Sequence, residues 1–191
     1  MVVPDKWELF GLALVCRNDC IADSLGHVPA GLRAVMRGAA FQAELNACEA
    51  LIMGRKAYDA AALRDDRVRV IISHDAQALE HKEGGWWWSP SAMPLDNMLR
   101  MVAPNGGRIA VRGGRETLAY FLDNGLRALH VCRAESVAIM NGYKLLDGCD
   151  RKTTLDTVLR EKGMVLAERQ LIDLRAPVSL SRWTRRGVKS D

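Results

Sequence analysis

A chain of 191 residues is long enough for one well-packed domain and short for two. With 49% hydrophobic and 26% charged residues it has the composition of a globular protein, and no apolar run is long enough to span a bilayer. Part of the net charge of +4 comes from Arg182, Arg185, Arg186 and Lys189, and the aromatics are not interleaved with basic residues; this argues against a nucleic-acid partner but leaves room for local sites for a phosphorylated small molecule.

The N-terminal residues carry neither a basic run nor a small-residue cleavage site, so a cytoplasmic location is expected. The five cysteines (Cys16, Cys20, Cys48, Cys132, Cys149) are scattered, with no C-x-x-C pair and no histidine at ligand spacing, and read as idle thiols rather than a metal site.

Residues 7–16 are almost continuously apolar, as in a central strand covered on both faces. A polar loop through Asp19, Asp23, Ser24, Gly26 and His27 to Pro29 follows, placed where a loop after a buried first strand commonly faces a site. Helical spacing over residues 30–50, across Gly38, predicts one helix. A strand over 49–53 stops at Gly54-Arg55-Lys56 and passes into a short helix with Tyr58 and an alanine run. Residues 67–73 form a β-branched strand ending in Ser73-His74-Asp75.

Trp86-Trp87-Trp88 suits a short strand with both faces covered, in the core or at a subunit interface of a homodimer in preference to stacking on a base. An amphipathic helix over 94–102 has a proline near its start. The chain is organised around residues 109–122, where an apolar strand (Ile109, Ala110, Val111) crosses Arg112-Gly113-Gly114 into a helix that begins Arg115-Glu116-Thr117. Such a junction is either a plain connection or a seat for an anion, because glycine admits close approach and a helix start presents unpaired N–H groups. The Gly54-Arg55 junction is built alike, and two of them suit an extended phosphorylated cofactor. Strands are expected over 126–131 and 137–140, a loop over 142–148, a short helix or irregular segment over 154–162, and a closing antiparallel hairpin over 164–174 and 177–183. The sum is an α/β domain with a mostly parallel sheet and an antiparallel edge.

Several of these stretches, in this order, resemble the dihydrofolate reductase superfamily, which includes the reductase domain of riboflavin biosynthesis. Leu51-Ile52-Met53-Gly54-Arg55-Lys56-Ala57-Tyr58 is similar to its Met-Gly-Arg-x-Thr-aromatic signature, and Val111-Arg112-Gly113-Gly114 to its Gly-Gly turn. Ile71-Ile72-Ser73 resembles its strand with a terminal serine, and Asn18-Asp19-Cys20-Ile21-Ala22 the start of its mobile loop. The resemblance spans residues 7–186 and implies a three-layer fold, with helices on both faces of the sheet and a C-terminal hairpin.

The resemblance also implies NADPH as cofactor. Gly54, Arg55, Lys56 and Ala57 would meet its phosphates, with Arg55 near the 2′-phosphate; Ser73 and His74 would lie along the adenine ribose. Val111, Gly113, Gly114, Arg115, Glu116 and Thr117 would cradle the pyrophosphate, and Ala13, Ile21 and Ala22 would line the nicotinamide pocket. The two glycines are expected to share a cis peptide. Leu32, Arg33, Val35, Met36 and Arg67 fall on the substrate side, and Arg33 with Arg37 would form either a phosphate site or a solvated face. Asp19 or Asp23 would assist protonation, with water as the other source.

Two residues depart from that pattern. Ala57 stands where a phosphate-binding threonine is expected, and Gly31 where folate-reducing members carry a carboxylate. The expected activity is therefore hydride transfer to a C=N bond of a pterin- or pyrimidine-type heterocycle, with a small-molecule substrate and no membrane. The alternative is a catalytically lapsed NADP(H)-binding module acting through partner association.

Overall fold

The computed structural model of the chain describes residues 6–59, 67–82, 84–175 and 177–185. A central nine-stranded sheet runs in the order β10-β11-β8-β1-β7-β3-β4-β6-β5. Its strands are β1 (Trp7–Cys16), β3 (Ala50–Gly54), β4 (Val68–Ile72), β5 (Leu79–Lys82), β6 (Gly85–Trp88), β7 (Gly107–Arg112), β8 (Ala128–Ala134), β10 (Met164–Asp173) and β11 (Val178–Arg185). From β8 to β6 all neighbours are parallel; β11 and β10 close one edge antiparallel, and β5 closes the other. A two-stranded antiparallel ribbon pairs β2 (Cys20–Ala22) with β9 (Tyr143–Lys144) beside the main sheet.

The near-continuous apolar sequence of β1 is explained by its central place, where side chains on both faces enter a core. Leu9, Ala13 and Val15 join one core with α4 (Leu95–Val102), α5 (Arg115–Asp123) and α6 (Leu155–Glu161). Phe10 and Leu12 join the other, which holds Phe41 and Leu45 of α2 (Ala39–Asn46) and rests against Val35 of α1 (Ala30–Arg37) and Tyr58 of α3 (Arg55–Asp59). Helices thus cover both faces, and the three-layer α/β architecture with its C-terminal hairpin is present.

The structure differs from the sequence expectations in several places, among them a short strand, β9, inside the expected loop over 142–148. The helix over 30–50 is two helices, because Gly38 takes an extended backbone (ψ 149°) that ends α1 and starts α2. Residues 137–140 form no strand: the backbone of Ile139 spends its hydrogen bonds on the side chain of Asn18, donating to Oδ1 (3.1 Å) and accepting from Nδ2 (2.9 Å). Trp88 is buried, but Trp86 and Trp87 are only half-buried, since β6 lies next to the edge strand. Of the basic C-terminal residues, Arg182 pairs with Glu44 and Glu168, while Arg185 donates to the carbonyls of Leu122, Leu126 and Lys162. Both belong to β11; Arg186 and Lys189, like the alanine run after α3, lie outside the described residues.

Candidate functional site

Parallel strands point their carboxyl ends the same way, so Gly54 at the end of β3 and Gly113 just past β7 arrive at one edge of the sheet on neighbouring strands. Thr117, in the first turn of α5, stands between them. Its Oγ1 lies 2.6 Å from where a Cβ on Gly54 would be, and its Cβ lies 2.6 Å from the corresponding point on Gly113. These glycines therefore admit the helix itself to the strand ends. Gly114 is different: a Cβ there would meet only Ile21 Cδ1, at 3.9 Å. Gly114 is the N-cap of α5 and no side chain caps the helix, so the first-turn amides of Arg115, Glu116 and Thr117 face an open position. All described peptides are trans, Gly113–Gly114 included, which corrects the cis bond implied by the family resemblance.

The adjoining junction carries charge. Arg55 opens α3, with Nη1 3.7 Å from Asp75 Oδ2 and its guanidinium carbon 5.4 Å from the Trp87 ring centroid. Ser73 is buried; its N–H donates to the Trp88 carbonyl and its Oγ accepts from the Asp75 N–H (3.2 Å). His74 and Lys56 are exposed, and Ala57 packs on the second core. Arg115 turns towards the ribbon, where Nε donates to the Lys144 carbonyl (3.1 Å) and Nη1 pairs with Asp147 (2.7 Å). With Ser24, Asn141, Gly142, Tyr143 and Lys144 it lines a cleft of about 310 Å³.

Neither expected proton donor is free. Asp19 is buried with positive φ; its Oδ1 pairs with Arg133 Nη1 at 2.5 Å and its Oδ2 accepts the N–H of Leu155 at the start of α6 (3.0 Å). Asp23 Oδ1 accepts the backbone N–H groups of His27 and Leu25, and these bonds, His27's above all, hold its carboxyl below the usual aspartate range. An acid kept ionised is a poor donor. The apolar residues expected at the nicotinamide are differently placed: Ile21 lies over Gly114, Ala22 is a buried residue of the ribbon, and Ala13 of β1 sits in the first core.

The expected substrate residues are dispersed. Leu32 is buried with Cys16, Cys20, Ala134 and Ile139, while Val35 and Met36 pack on the second core. Arg33 and Arg37 are exposed, and Arg33 Nη1 donates to the Val28 carbonyl. At Gly31 a Cβ would come within 2.9 Å of Val137 Cγ2, so Val137 occupies the space a side chain at position 31 would need. Arg67 precedes β4 and so stands at the opposite end of that strand from Ser73, in a separate depression with Arg69, His81 and Trp86. The length of β4 lies between it and the glycine junctions, so the structure does not bring Arg67 together with them.

Sequence reasoning passed over Asp75, Trp87 and the Tyr143–Lys144 strand as parts of this edge; only Asp75 carried a signal, its position directly after Ser73-His74 at a strand end. Burial pushes the thiols of Cys48 and Cys149 up to about 11 and that of Cys132 to about 12, so none is a ready nucleophile. Among the described residues there is no group of three or more His, Cys, Asp or Glu that could hold a metal ion, and no helix long and apolar enough to cross a membrane.

The chain has the dihydrofolate reductase-like fold, and its similarities to solved structures bear this out. A protein described provisionally as a riboflavin biosynthesis protein, from Shewanella sp. PV-4, superposes with a TM-score of 0.63 at 12% identity, over 93% of this chain and 98% of that one. A diaminohydroxyphosphoribosylaminopyrimidine deaminase/5-amino-6-(5-phosphoribosylamino)uracil reductase from Thermotoga maritima superposes with a TM-score of 0.60 at 13% identity, over 94% of this chain and 56% of that one. The chain thus spans little more than half of the Thermotoga protein. No family model and no curated protein matches the sequence.

Proposed function

We propose that this chain is a reductase that binds NADPH along the carboxyl edge of β3, β4 and β7 and reduces a C=N bond of a pyrimidine- or pterin-type heterocycle. The observation that carries the reading is the meeting of the two glycine junctions on Thr117, which leaves the uncapped start of α5 open above Gly114. The residues fit the group. First-turn amides suit a pyrophosphate, Arg55 suits a 2′-phosphate, and Ile21 supplies an apolar wall beside Gly114. A bound reduced nicotinamide supplies the hydride; the chain's own residues bind, orient and exclude water.

Val137 beside Gly31 leaves no carboxylate to hold a pterin, which favours a pyrimidine of the kind named for the Thermotoga protein. With Asp19 and Asp23 committed to structural partners, water is the proton source. The same commitment, together with Ala57 and Gly31 in place of the expected threonine and carboxylate, favours the second reading, a cofactor-binding module without turnover; saturable binding with no oxidation by any pyrimidine or pterin substrate would select it.

The test is a fluorescence titration with NADPH and NADH, repeated with Arg55→Ala, using Trp87 beside Arg55 as reporter. Loss of a charge-assisted contact should weaken NADPH binding by about tenfold or more and leave NADH nearly unchanged. Failure of either nucleotide to bind the native chain would overturn the reading.

A further inference from the structure

Resting on that cofactor reading, we propose that Asp75 sets the selectivity between NADPH and NADH by competing with the cofactor's 2′-phosphate for Arg55. β3 and β4 are parallel neighbours with Gly54 opposite Ile72, so Arg55 leaves the sheet beside the turn that begins at Ser73. That turn is held by the Ser73 Oγ, which accepts the Asp75 N–H and brings the carboxylate back over the strand ends to within 3.7 Å of the guanidinium. Arg55 is backed by the Trp87 ring, which also lies beneath Lys82 Nζ at 5.6 Å.

Both partners are open to solvent, with side chains 60% and 86% exposed. An ion pair so exposed is weak, so a solute anion can displace it, yet the carboxylate stays within the same few ångströms. A phosphate drawn to Arg55 then meets a like charge. A ribose with a free 2′-hydroxyl meets an acceptor instead, the arrangement that favours NADH in other dinucleotide sites. One edge therefore carries an arginine for the phosphate and a carboxylate for the hydroxyl, and the carboxylate narrows the preference that Arg55 alone would give.

The experiment measures dissociation constants for NADPH and NADH, and for the minimal probes adenosine 2′,5′-bisphosphate and adenosine 5′-monophosphate, with the native chain and Asp75→Asn. The substitution keeps the backbone N–H that Ser73 holds, and the exposed site spares the fold; a thermal melt of each protein confirms it. Removing the charge should tighten NADPH and the bisphosphate by about threefold to tenfold, while NADH and the monophosphate stay equal or weaken. An unchanged or reduced NADPH-to-NADH affinity ratio in Asp75→Asn would overturn the inference and leave the cofactor reading standing. Absence of binding by either nucleotide to both proteins would overturn the cofactor reading, and the inference with it.

Discussion

Thr117 occupies the space that side chains at positions 54 and 113 would need, and the two glycines are best explained by that crowding. The contacts differ in kind. Gly54 faces the hydroxyl, with the Thr117 Cβ further away at 3.9 Å, whereas Gly113 faces the Cβ itself. A β-branched residue in a helix has few other rotamers to retreat to. Gly54→Ala should therefore cost about 1–3 kcal/mol of unfolding free energy in the native chain and most of that cost should vanish in a Thr117→Ala background. Gly113→Ala should cost a similar amount in both backgrounds, because Thr117→Ala leaves the offending Cβ in place. Urea denaturation of the single and double variants reads this directly. A Gly54→Ala penalty that Thr117→Ala does not relieve would show that the helix start is seated by something else.

Among the elements, α2 is fixed to the sheet by charge as well as by Phe41 and Leu45. Glu44 on α2 is bonded by His130 Nδ1 of β8 (2.9 Å) and Arg182 Nη2 of β11 (3.1 Å), all three largely or partly shielded from solvent. The His130 hydrogen bond, against the opposing effect of burial, holds the Glu44 carboxyl below the ordinary glutamate range. A carboxyl depressed in the folded state contributes stability that is fully present above its unfolded value and is lost as the pH falls through its folded value. Between about pH 5 and pH 3, native stability should thus fall more steeply than that of Glu44→Gln, measured as the urea midpoint at each pH. Parallel declines would remove Glu44 from the acid limb.

The same scale shows what could be read from sequence. Strands buried on both faces announce themselves as apolar runs, as β1, β3 and β7 do. The edge strand β5 holds a single apolar residue, and the β2–β9 ribbon is too short for any period to register. At the site, both glycine junctions were legible, because strand, glycine and helix start are contiguous. The fate of Asp19 was not: its partners, Arg133 and the Leu155 amide, lie 114 and 136 residues further along the chain. Periodicity reports a residue's own element, and only the fold brings such distant groups together.

At the scale of the molecule, the proposed cofactor seat rests on the part of the sheet with most support. β1, β7 and β3 are paired on both sides and their side chains enter both cores. β10 is an edge strand, mostly exposed, with pairing irregularities between Leu166 and Glu168 and between Leu171 and Asp173. Local opening costs least where backbone hydrogen bonds face solvent and few apolar groups are buried. Amides of β1 and β7 should then exchange with deuterium only through global unfolding, and those of β5 and of the outward-facing side of β10 at least about a hundredfold faster, through local opening. Added NADPH should slow exchange at residues 54–57 and 113–117 without altering β10, since a ligand protects the groups it covers and stabilises the fold as a whole only against global unfolding. Because the helix start is seated on strands that hardly open, that protection must come from contact rather than from ordering of the sheet. Protection that appeared first at residues 164–173 would place the nucleotide on the C-terminal hairpin and remove the glycine junctions from the site.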